Sequence, residues 1–288
     1  MRSANSRMTD VAAARDDLEA TTGSATALLR TVVGSILRPI GGWMSSAGAV
    51  RLMDDLGVPA ATARSSLARL CSRGVLRREP RDGVAGYALE PAAVPMLERG
   101  DDRIFGDREE ASAWCLLSFS FPERRRGSRD RLRRRLAALG CGTVADGLWI
   151  APAALEDELA ATAREIAGEA DVVLFADASP RGDLAAGLAR WYDLPSIRRA
   201  HESFLARFGA APEPSDDRQA FVLWMRALDE WRVIPYRDPG LPSSALPAGW
   251  PGAATADLFR RLRDGLEERA VAHAAAVATP ARTVGRTR

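Results

Sequence analysis

The stretch WMSSAGAVRLMDDLGVPAATARSSLARLCSRGVLRREPRDGVAGYALE, residues 43–90, decides the fold of the amino-terminal part of the chain. Ser45 or Ser46 is suited to cap a helix, because a serine hydroxyl accepts from the unpaired N–H groups of a first turn. Gly57 ends that helix, since glycine tolerates a left-handed conformation. Pro59 then favours the start of a second helix, where its missing N–H is not needed. The pattern predicts two helices joined by a tight turn.

The second helix of this pair, predicted over residues 60–73, has an apolar face and a polar face. Ala63, Leu67 and Leu70 recur at helical spacing and are expected to face the core. The polar face carries small hydroxyl groups and arginines. Hydroxyl groups allow close approach to a groove and arginine donates to guanine or to phosphate, so this face has the chemistry of a helix that reads DNA.

Two short strands are predicted after this helix, over residues 75–79 and 87–90, with an Asp-Gly hairpin turn at residues 82–83. Six arginines and the single acid Glu79 lie between residues 60 and 81, and such a field attracts a phosphate backbone. A polar helix face alone is as often only solvated, but the helices, the turn and the basic hairpin together favour DNA binding. The predicted DNA-contacting residues are Thr62, Arg64, Ser65, Ser66, Arg69, Arg73, Arg77, Arg78 and Arg81.

The composition is that of a globular protein with two or three domains, given 288 residues, 47% hydrophobic and 27% charged side chains. All 40 basic side chains are arginine, which excludes a Schiff-base lysine and a P-loop lysine and suits phosphate or carboxylate recognition. Cys71, Cys115 and Cys141 have no metal-binding spacing and are expected to be reduced core residues. Without a signal-peptide core or an apolar run of about 18 residues, we expect a cytoplasmic protein.

The rest of the chain predicts an α+β protein. Its central part follows the order βαββαβ, with an Asp-Gly hairpin at residues 146–147, which is typical of a ferredoxin-like domain. Residues 233–251 hold too much proline for a helix or a central strand, and their apolar side chains favour a loop that wraps onto the protein. The predicted segments are a flexible tail (1–23), a winged helix-turn-helix domain (24–100), an acidic linker (101–112), the ferredoxin-like domain (113–180), a helical carboxy-terminal domain (181–276) and a second tail (277–288).

The first helix of the ferredoxin-like domain and the loop before it carry eight arginines between residues 124 and 135, with Asp130 as the only acid among them. One interpretation is a second contact with nucleic acid. The other is a solvated face or the rim of a dimer interface, because charge runs on helices are usually solvated.

Three segments of the chain resemble the PaaX family, repressors of bacterial phenylacetate degradation genes, and the resemblance covers residues 26–270. The carboxy-terminal segment is the most specific part of the resemblance, since many regulators share a winged helix. The segments are Leu56-Gly57-Val58 with Ala63-Arg64-Ser65-Ser66-Leu67-Ala68-Arg69-Leu70, the strand at Trp114, and Trp231-Arg232 with Asp238-Pro239-Gly240-Leu241-Pro242 and Leu246-Pro247-Ala248-Gly249-Trp250-Pro251-Gly252.

The resemblance implies a homodimer that represses transcription from a palindromic operator in double-stranded DNA. An aromatic acyl-coenzyme A such as phenylacetyl-CoA would release it, the ferredoxin-like domain would serve dimerisation, and the helical domain would serve effector binding or dimer contacts. No catalytic residue, metal or cofactor is expected.

An aromatic acyl-CoA pocket requires aromatic walls, with arginines near the phosphates. Aromatic residues at helical spacing are equally the pattern of a core, and a lone histidine is more often structural. The predicted effector-binding residues are Trp191, Tyr192, Arg198, His201, Trp224, Arg226, Trp231, Arg232 and Tyr236.

The central domain also resembles that of the CRISPR-associated ferredoxin-like nucleases, which place a metal-binding aspartate at the end of their first strand. Here Ser118-Phe119-Ser120-Phe121-Pro122 carries no carboxylate, and Asp146 and Asp177 are the only carboxylates near strand ends. The missing carboxylate argues against a metal-dependent nuclease, which is kept as the alternative function, and favours a dimerisation role for this domain. A DNA-binding scaffold without an effector is a second alternative.

Overall fold

A computed structural model describes residues 21–106, 110–167 and 171–278 of the protein. The chain divides into two compact units, made of the described parts of residues 1–102, 207–231 and 256–288 and of residues 103–206 and 232–255. These boundaries differ from the predicted domain boundaries, which stay a prediction. Helices and two antiparallel sheets make the protein α+β, as the sequence predicts.

The helices and strands of the described chain are numbered here in sequence order. The helices are α1 (Ala25–Ser35), α2 (Ser46–Asp55), α3 (Ala60–Ser72), α4 (Val94–Phe105), α5 (Arg126–Ala138), α6 (Glu156–Ala167), α7 (Leu184–Trp191), α8 (Leu194–Phe208), α9 (Asp217–Trp231), α10 (Ile234–Arg237) and α11 (Gly252–Ala278). The strands are β1 (Trp43–Ser45), β2 (Leu76–Arg78), β3 (Gly86–Leu89), β4 (Trp114–Ser120), β5 (Gly142–Ala145), β6 (Leu148–Pro152) and β7 (Asp171–Ala178). Within the described ranges, no helix combines the length and the apolar character needed to cross a membrane.

Serine hydroxyls start the first two helices of the first unit. Ser24 caps α1 by accepting from the N–H of Ala27, and Ser45 caps α2 by accepting from the N–H of Gly48 at 3.0 Å. Gly57, with φ of 82°, ends the run after α2 in the left-handed conformation. The apolar sides of α1, α2 and α3 meet in one core, to which Leu29, Leu52 and Leu67 contribute side chains without exposed surface.

The sheet of the first unit has three antiparallel strands in the order β1-β3-β2. Two hydrogen bonds link Arg81 and Val84 across the hairpin between β2 and β3, and Asp82 and Gly83 between them have positive φ angles of 50° and 76°. Such angles at both central residues are those of the turn that Asp-Gly favours. The third strand, β1, was not predicted, because a strand of three residues is too short to show an alternating pattern.

Helix α4 extends beyond its predicted end. The sequence predicts a helix to about residue 99 and a linker from residue 101, whereas α4 continues to Phe105. Asp101 accepts a hydrogen bond from Arg38, and this ion pair holds the carboxylate against the first unit. The guanidinium of Arg103 is buried in the second unit and donates to the carbonyl of Leu139 at 2.8 Å. The acidic composition of this stretch suggested a linker, but Asp101 and Arg103 both have partners in the protein and the helix continues through them.

The second unit is built on a four-stranded antiparallel sheet in the order β5-β6-β4-β7. Helices α5 and α6 cover one face, where Leu132, Leu136 and Leu159 pack against Cys115, Leu117 and Phe119 of β4. The other face packs against α7, the start of α8 and the proline-rich segment; its core consists of Trp114, Ile150, Leu188, Tyr192, Leu194, Ile197, Leu241 and Ala245. The chain passes through this layer in the order β4-α5-β5-β6-α6-β7.

The proline-rich segment 233–251 wraps onto the second unit, as its apolar residues predict, with Leu241 4% exposed. The prediction that it holds no helix is wrong for α10, where Pro235 occupies the first turn and its missing N–H removes no hydrogen bond. Asp238 fixes the turn that follows by accepting from the N–H groups of Gly240 and Leu241.

Candidate nucleic-acid interface

The outward face of α3 carries Thr62, Ser65 and Arg69, which are all exposed. These positions are three and four residues apart, so they lie above one another on one side of the helix. The opposite side holds Ala63, Leu67 and Leu70, none of which is more than 1% exposed. As predicted from the spacing, the helix is fixed to the unit by one face and presents hydroxyl groups and a guanidinium on the other.

Ser66 does not belong to this outward face. It is 2% exposed, and the prediction that it contacts DNA is corrected here. Ser66 lies three residues after Ala63 and four before Leu70, which places it on the apolar stripe of α3. Its hydroxyl is small enough to fit among the core side chains, and its polarity alone suggested an outward position.

The arginines of α3 differ in their exposure and in their contacts within the protein. Arg64 and Arg69 are exposed, and the Nη1 of Arg69 lies 3.5 Å from the hydroxyl of Thr26. Arg73 follows the last residue of the helix and is half-buried, with a partner inside the protein. Arg64 and Arg69 are therefore the guanidinium groups of this helix that solvent reaches most easily.

The arginines of the β2–β3 hairpin are organised by Glu79. Arg81 donates to its carboxylate at 2.7 Å, and Arg77 donates to it through Nε at 3.0 Å and also to the carbonyl of Leu89 at 2.8 Å. The hydrogen bonds from Arg81 and Arg77 hold the pKa of Glu79 below its ordinary value. Arg78 is exposed and lies outside this set of contacts; its charge opposes the burial that raises the pKa of Cys71 in α3.

A tryptophan supports the same hairpin from β1. The indole Nε1 of Trp43 donates to the carbonyl of Glu79 at 2.8 Å, and the guanidinium of Arg81 lies 5.4 Å from the centre of its ring. This cation–π contact keeps Arg81 at the surface beside the hairpin turn. The sequence predicts Trp43 only as a core residue, and its place beside Arg81 depends on the pairing of β1 with β3, which residue spacing does not show.

Three of the predicted effector-binding residues, Trp224, Arg226 and Trp231, lie in the first unit on α9. Trp224 has no exposed surface and stacks on Phe259 with ring centres 5.5 Å apart, so its prediction as a pocket wall is corrected to a core position. Trp231 is 7% exposed and stacks on the same ring at 4.4 Å. Aromatic residues at helical spacing are core residues here.

The other predicted effector-binding residues, Trp191, Tyr192, Arg198, His201, Arg232 and Tyr236, lie in the second unit. The hydroxyl of Tyr192 donates to the carbonyl of Ile150 at 3.1 Å, and its pKa is raised, mainly by burial. Arg198 lies 5.2 Å from the ring centre of Trp250 and donates to the carbonyl of Gly249 at 3.1 Å. The structure therefore gives these two side chains contacts within the protein.

Asp238 is a polar residue of this region that aromatic content does not indicate. The Nε2 of His201 lies 3.0 Å from its carboxylate, and the indole Nε1 of Trp250 donates to the same oxygen at 3.3 Å. Burial raises the pKa of Asp238, but the hydrogen bond and the charge of His201, with the N–H groups of Leu241 and Trp250, outweigh burial and leave the pKa below its ordinary value. The sequence Asp-Pro-Gly indicates such a role for Asp238, since an aspartate that begins a turn accepts hydrogen bonds from the backbone N–H groups of the turn.

The carboxylates considered for a metal site are separated. Asp146 is exposed and accepts from Arg133 at 2.9 Å, and Asp177 lies near the end of β7 with a positive φ of 48°. Over residues 21–106, 110–167 and 171–278, no three histidine, cysteine or acidic side chains come together as a metal site would require.

These features define a class of protein: an α+β protein in which a tight helix pair and a basic hairpin form a surface suited to nucleic acid. The chain belongs to the PaaX family. Three models of the family match the chain one after another. They are the PaaX-like protein over residues 24–92, the PaaX protein central Cas2-like domain over 107–187 and the PaaX-like protein C-terminal domain over 192–276.

Two individual proteins are similar to the chain over most of its length. The transcriptional repressor PaaX from Escherichia coli (strain K12) is 27% identical over 249 residues, which cover 80% of this chain and 76% of that protein. A solved structure, that of the uncharacterized protein Rv0674 from Mycobacterium tuberculosis, is 24% identical and superposes with a TM-score of 0.54 over 86% of this chain and 99% of that one. The second likeness concerns the fold alone.

Proposed function

We propose that the protein is a transcriptional repressor that binds double-stranded DNA through α3 and the β2–β3 hairpin. The relative from Escherichia coli is named a transcriptional repressor, which favours regulation over catalysis. In this proposal α2, the turn and α3 form the helix-turn-helix, and the three-stranded sheet is its wing. The outward face of Thr62, Ser65 and Arg69 is the observation that carries the proposal.

The chemistry of this face fits the major groove. A threonine or serine hydroxyl contacts either base edges or phosphates at short range, and arginine donates two parallel hydrogen bonds to guanine. Arg64, Arg73, Arg77, Arg78 and Arg81 would then contact the phosphates on both sides of the groove, and such contacts fix the register of the protein without reading sequence.

We further propose that two copies of the chain bind a palindromic operator. One α3 reads a half-site only, so that specificity requires a pair at fixed spacing. The sheet order β5-β6-β4-β7 with all neighbours antiparallel supports the proposal of a ferredoxin-like domain. Its edge strand β7 carries Val173 and Phe175, each 51% exposed. A symmetric dimer buries the same patch from both copies, and this apolar edge suits that role.

The effector of this repressor is proposed from the family resemblance as an aromatic acyl-coenzyme A such as phenylacetyl-CoA. Trp191, Arg198, Arg232 and Tyr236 of the second unit combine aromatic rings with guanidinium groups, the two chemistries that an aryl group and phosphates require. A ligand that binds the folded protein raises its melting temperature, so thermal unfolding with and without the thioester tests this part of the proposal.

The DNA-binding proposal is tested by the double variant Arg64→Ala/Arg69→Ala. Both side chains are exposed, so that the fold is expected to persist. Each good base contact contributes about 1–3 kcal/mol, and we expect affinity for the upstream region of the protein's own gene to fall at least about tenfold at physiological salt.

The matched control for this experiment is Arg260→Ala/Arg261→Ala, which removes the same charge from exposed positions of α11. Equal affinities of the wild type and the α3 variant would contradict the proposal.

The nuclease alternative is tested separately by incubating the wild type with DNA or RNA and Mg²⁺ or Mn²⁺, where cleavage would favour an enzyme.

A further inference from the structure

A cavity of about 410 Å³ opens on the surface of the second unit beside the start of α5. Among the residues that the structure describes, none with a carboxylate side chain lines it. Its lining consists of Arg124, Arg125, Gly127, Ser128, Arg131 and Arg134. Four guanidinium groups therefore border one open depression, and their chemistry suits an anion with several charges.

The geometry of α5 places part of this lining in a single stripe. Gly127, Arg131 and Arg134 are separated by four and three residues, so they lie on one side of the helix over a length of about 10 Å. Leu132 and Leu136 have no exposed surface and fix a different side of the helix to the sheet. A side chain at position 127 would meet no atom within 4 Å, and the absence of one leaves the stripe open to a bulky partner.

Two acidic residues near the stripe lie against other arginines. Asp146 accepts from Arg133 at 2.9 Å, and Asp130 lies 3.9 Å from Arg129. In the part of the chain that the structure describes, Arg131 and Arg134 form no ion pair. Like charges at such helical spacing repel one another, and a merely solvated face usually mixes both signs. The stripe is therefore a concentration of uncompensated positive charge, which costs stability until an anion binds.

We propose that this stripe, with Arg124 and Arg125, binds the phosphodiester backbone of double-stranded DNA as a second contact that does not read sequence. A length of about 10 Å is enough to reach more than one phosphate of a strand, since each strand of duplex DNA carries one phosphate per about 3.4 Å of axial rise. The depression is open and lined by flexible guanidinium groups, which suits an extended polyanion. The proposal rests on the repressor function, because the DNA would be operator DNA and its flanks.

The contact has a measurable signature in the dependence of DNA affinity on salt. Each phosphate contact contributes a slope of about −0.9 to the plot of log K against log salt concentration. The variant Arg131→Ala/Arg134→Ala of the full chain should therefore have a slope shallower by about one to two. The change should be equal for the upstream region of the gene and for unrelated DNA of the same length, since phosphates carry no sequence information.

The matched control is Arg129→Ala/Arg133→Ala on the same helix, which removes the same charge from arginines that face carboxylates. Its slope should stay close to that of the wild type. If the slope of the Arg131→Ala/Arg134→Ala variant equals that of a wild type that binds its upstream region, the inference is overturned and the repressor proposal stands. If the wild type binds both DNAs equally and the variant loses slope on both, the inference stands and the repressor proposal fails.

A free polyphosphate offers the same chemistry as the DNA backbone, and a second arm separates the two sources. Tripolyphosphate binding is measured by calorimetry for the wild type and for Arg131→Ala/Arg134→Ala. Loss of tripolyphosphate binding together with an unchanged DNA slope would assign the cavity to a small ligand and overturn the inference for DNA. A DNA slope that falls in the variant supports it.

Discussion

Glu79 controls how much positive charge the hairpin presents to a partner. Its carboxylate binds Arg77 and Arg81 at once, and its lowered pKa keeps it ionised throughout the physiological range. Half of the six arginines between residues 60 and 81 lie on the hairpin, and this single acid neutralises part of their field. We therefore expect this one side chain to limit the affinity of the hairpin for phosphate.

The variant Glu79→Gln should bind DNA more tightly than the wild type, by several-fold at low salt. The two arginines lose their internal counterion and become available to phosphates, so the slope of log K against log salt should steepen by up to about two. The effect should not change between pH 6 and 8, because the pKa of Glu79 lies below that range.

The control for this change is Glu90→Gln, which removes one negative charge just after β3 without breaking an arginine cluster. Binding is measured by titration of labelled operator DNA at several salt concentrations. Weaker binding by Glu79→Gln than by Glu90→Gln would show that the cluster serves to hold the hairpin in shape rather than to limit its charge.

At the scale of elements, helix α11 is fixed against α2 by close backbone packing. A Cβ built on Gly48 would lie 2.6 Å from the Cα of Ala278, and the Nη2 of Arg51 donates to the carbonyl of Val277 at 2.8 Å. The obstacle is backbone, so no side-chain rotation relieves it. The absence of a side chain at position 48 is therefore a condition for the last turn of α11 to pack.

Two glycine-to-alanine variants should act in opposite directions. Gly48→Ala should destabilise the protein by about 1–3 kcal/mol, because α11 has to move away from α2. Gly265→Ala, in the middle of α11 with no atom within 4 Å of the added methyl group, should stabilise it by about 0.5–1 kcal/mol. Thermal unfolding of both variants against the wild type measures the difference, and a stabilised Gly48→Ala would contradict the packing of α2 against α11.

Most helices and strands follow from sequence pattern, because their apolar faces recur at the helical or strand period over several turns. Helix α3, predicted over residues 60–73, spans Ala60–Ser72 for this reason. The exceptions depend on tertiary contacts. Strand β1 exists because β3 pairs with it, and α4 continues because Arg38 binds Asp101.

The candidate DNA surface was less predictable than the fold. Helical spacing identified Thr62, Ser65 and Arg69, but residue polarity alone placed Ser66 with them. Aromatic content predicted a pocket and led to Trp224, which is a core residue. Polarity and aromaticity do not distinguish a binding surface from a core, and only the packing of each element against its neighbours decides between them.

At the scale of the whole molecule, the apolar edge of β7 is the feature that bears on assembly. An edge strand presents unpaired backbone N–H and C=O groups, and proteins normally protect it with charges, proline or a partner. Val173 and Phe175 give this edge two large exposed apolar side chains instead. The proposed dimer would bury them.

The variant Val173→Glu/Phe175→Glu should behave as a monomer of 31.0 kDa in sedimentation experiments at concentrations where the wild type is a dimer. Four buried negative charges in a symmetric dimer repel one another and cost desolvation energy, so association should weaken at least a hundredfold. Binding to an operator with two half-sites should weaken with it, and binding to a single half-site should not.

The control for this variant is Ala145→Glu on the other edge strand, β5, where the residue is exposed and a charge should leave the mass unchanged. A wild type that sediments as a monomer at all concentrations, or a dimer that survives in the β7 variant, would exclude this edge as the interface.

Ser45 has a double role in the first unit, since it is the last residue of β1, paired with Gly86, and the cap of α2. No loop separates β1 from α2. A Cβ at Gly86 would lie 2.4 Å from the ring of Trp43, so that β1 and β3 are closely packed. Strand β1 and helix α2 thus follow one another without a linker at this junction. In the proposed repressor, an effector would therefore change the distance between the two DNA-binding units of the dimer rather than the angle between β1 and α2.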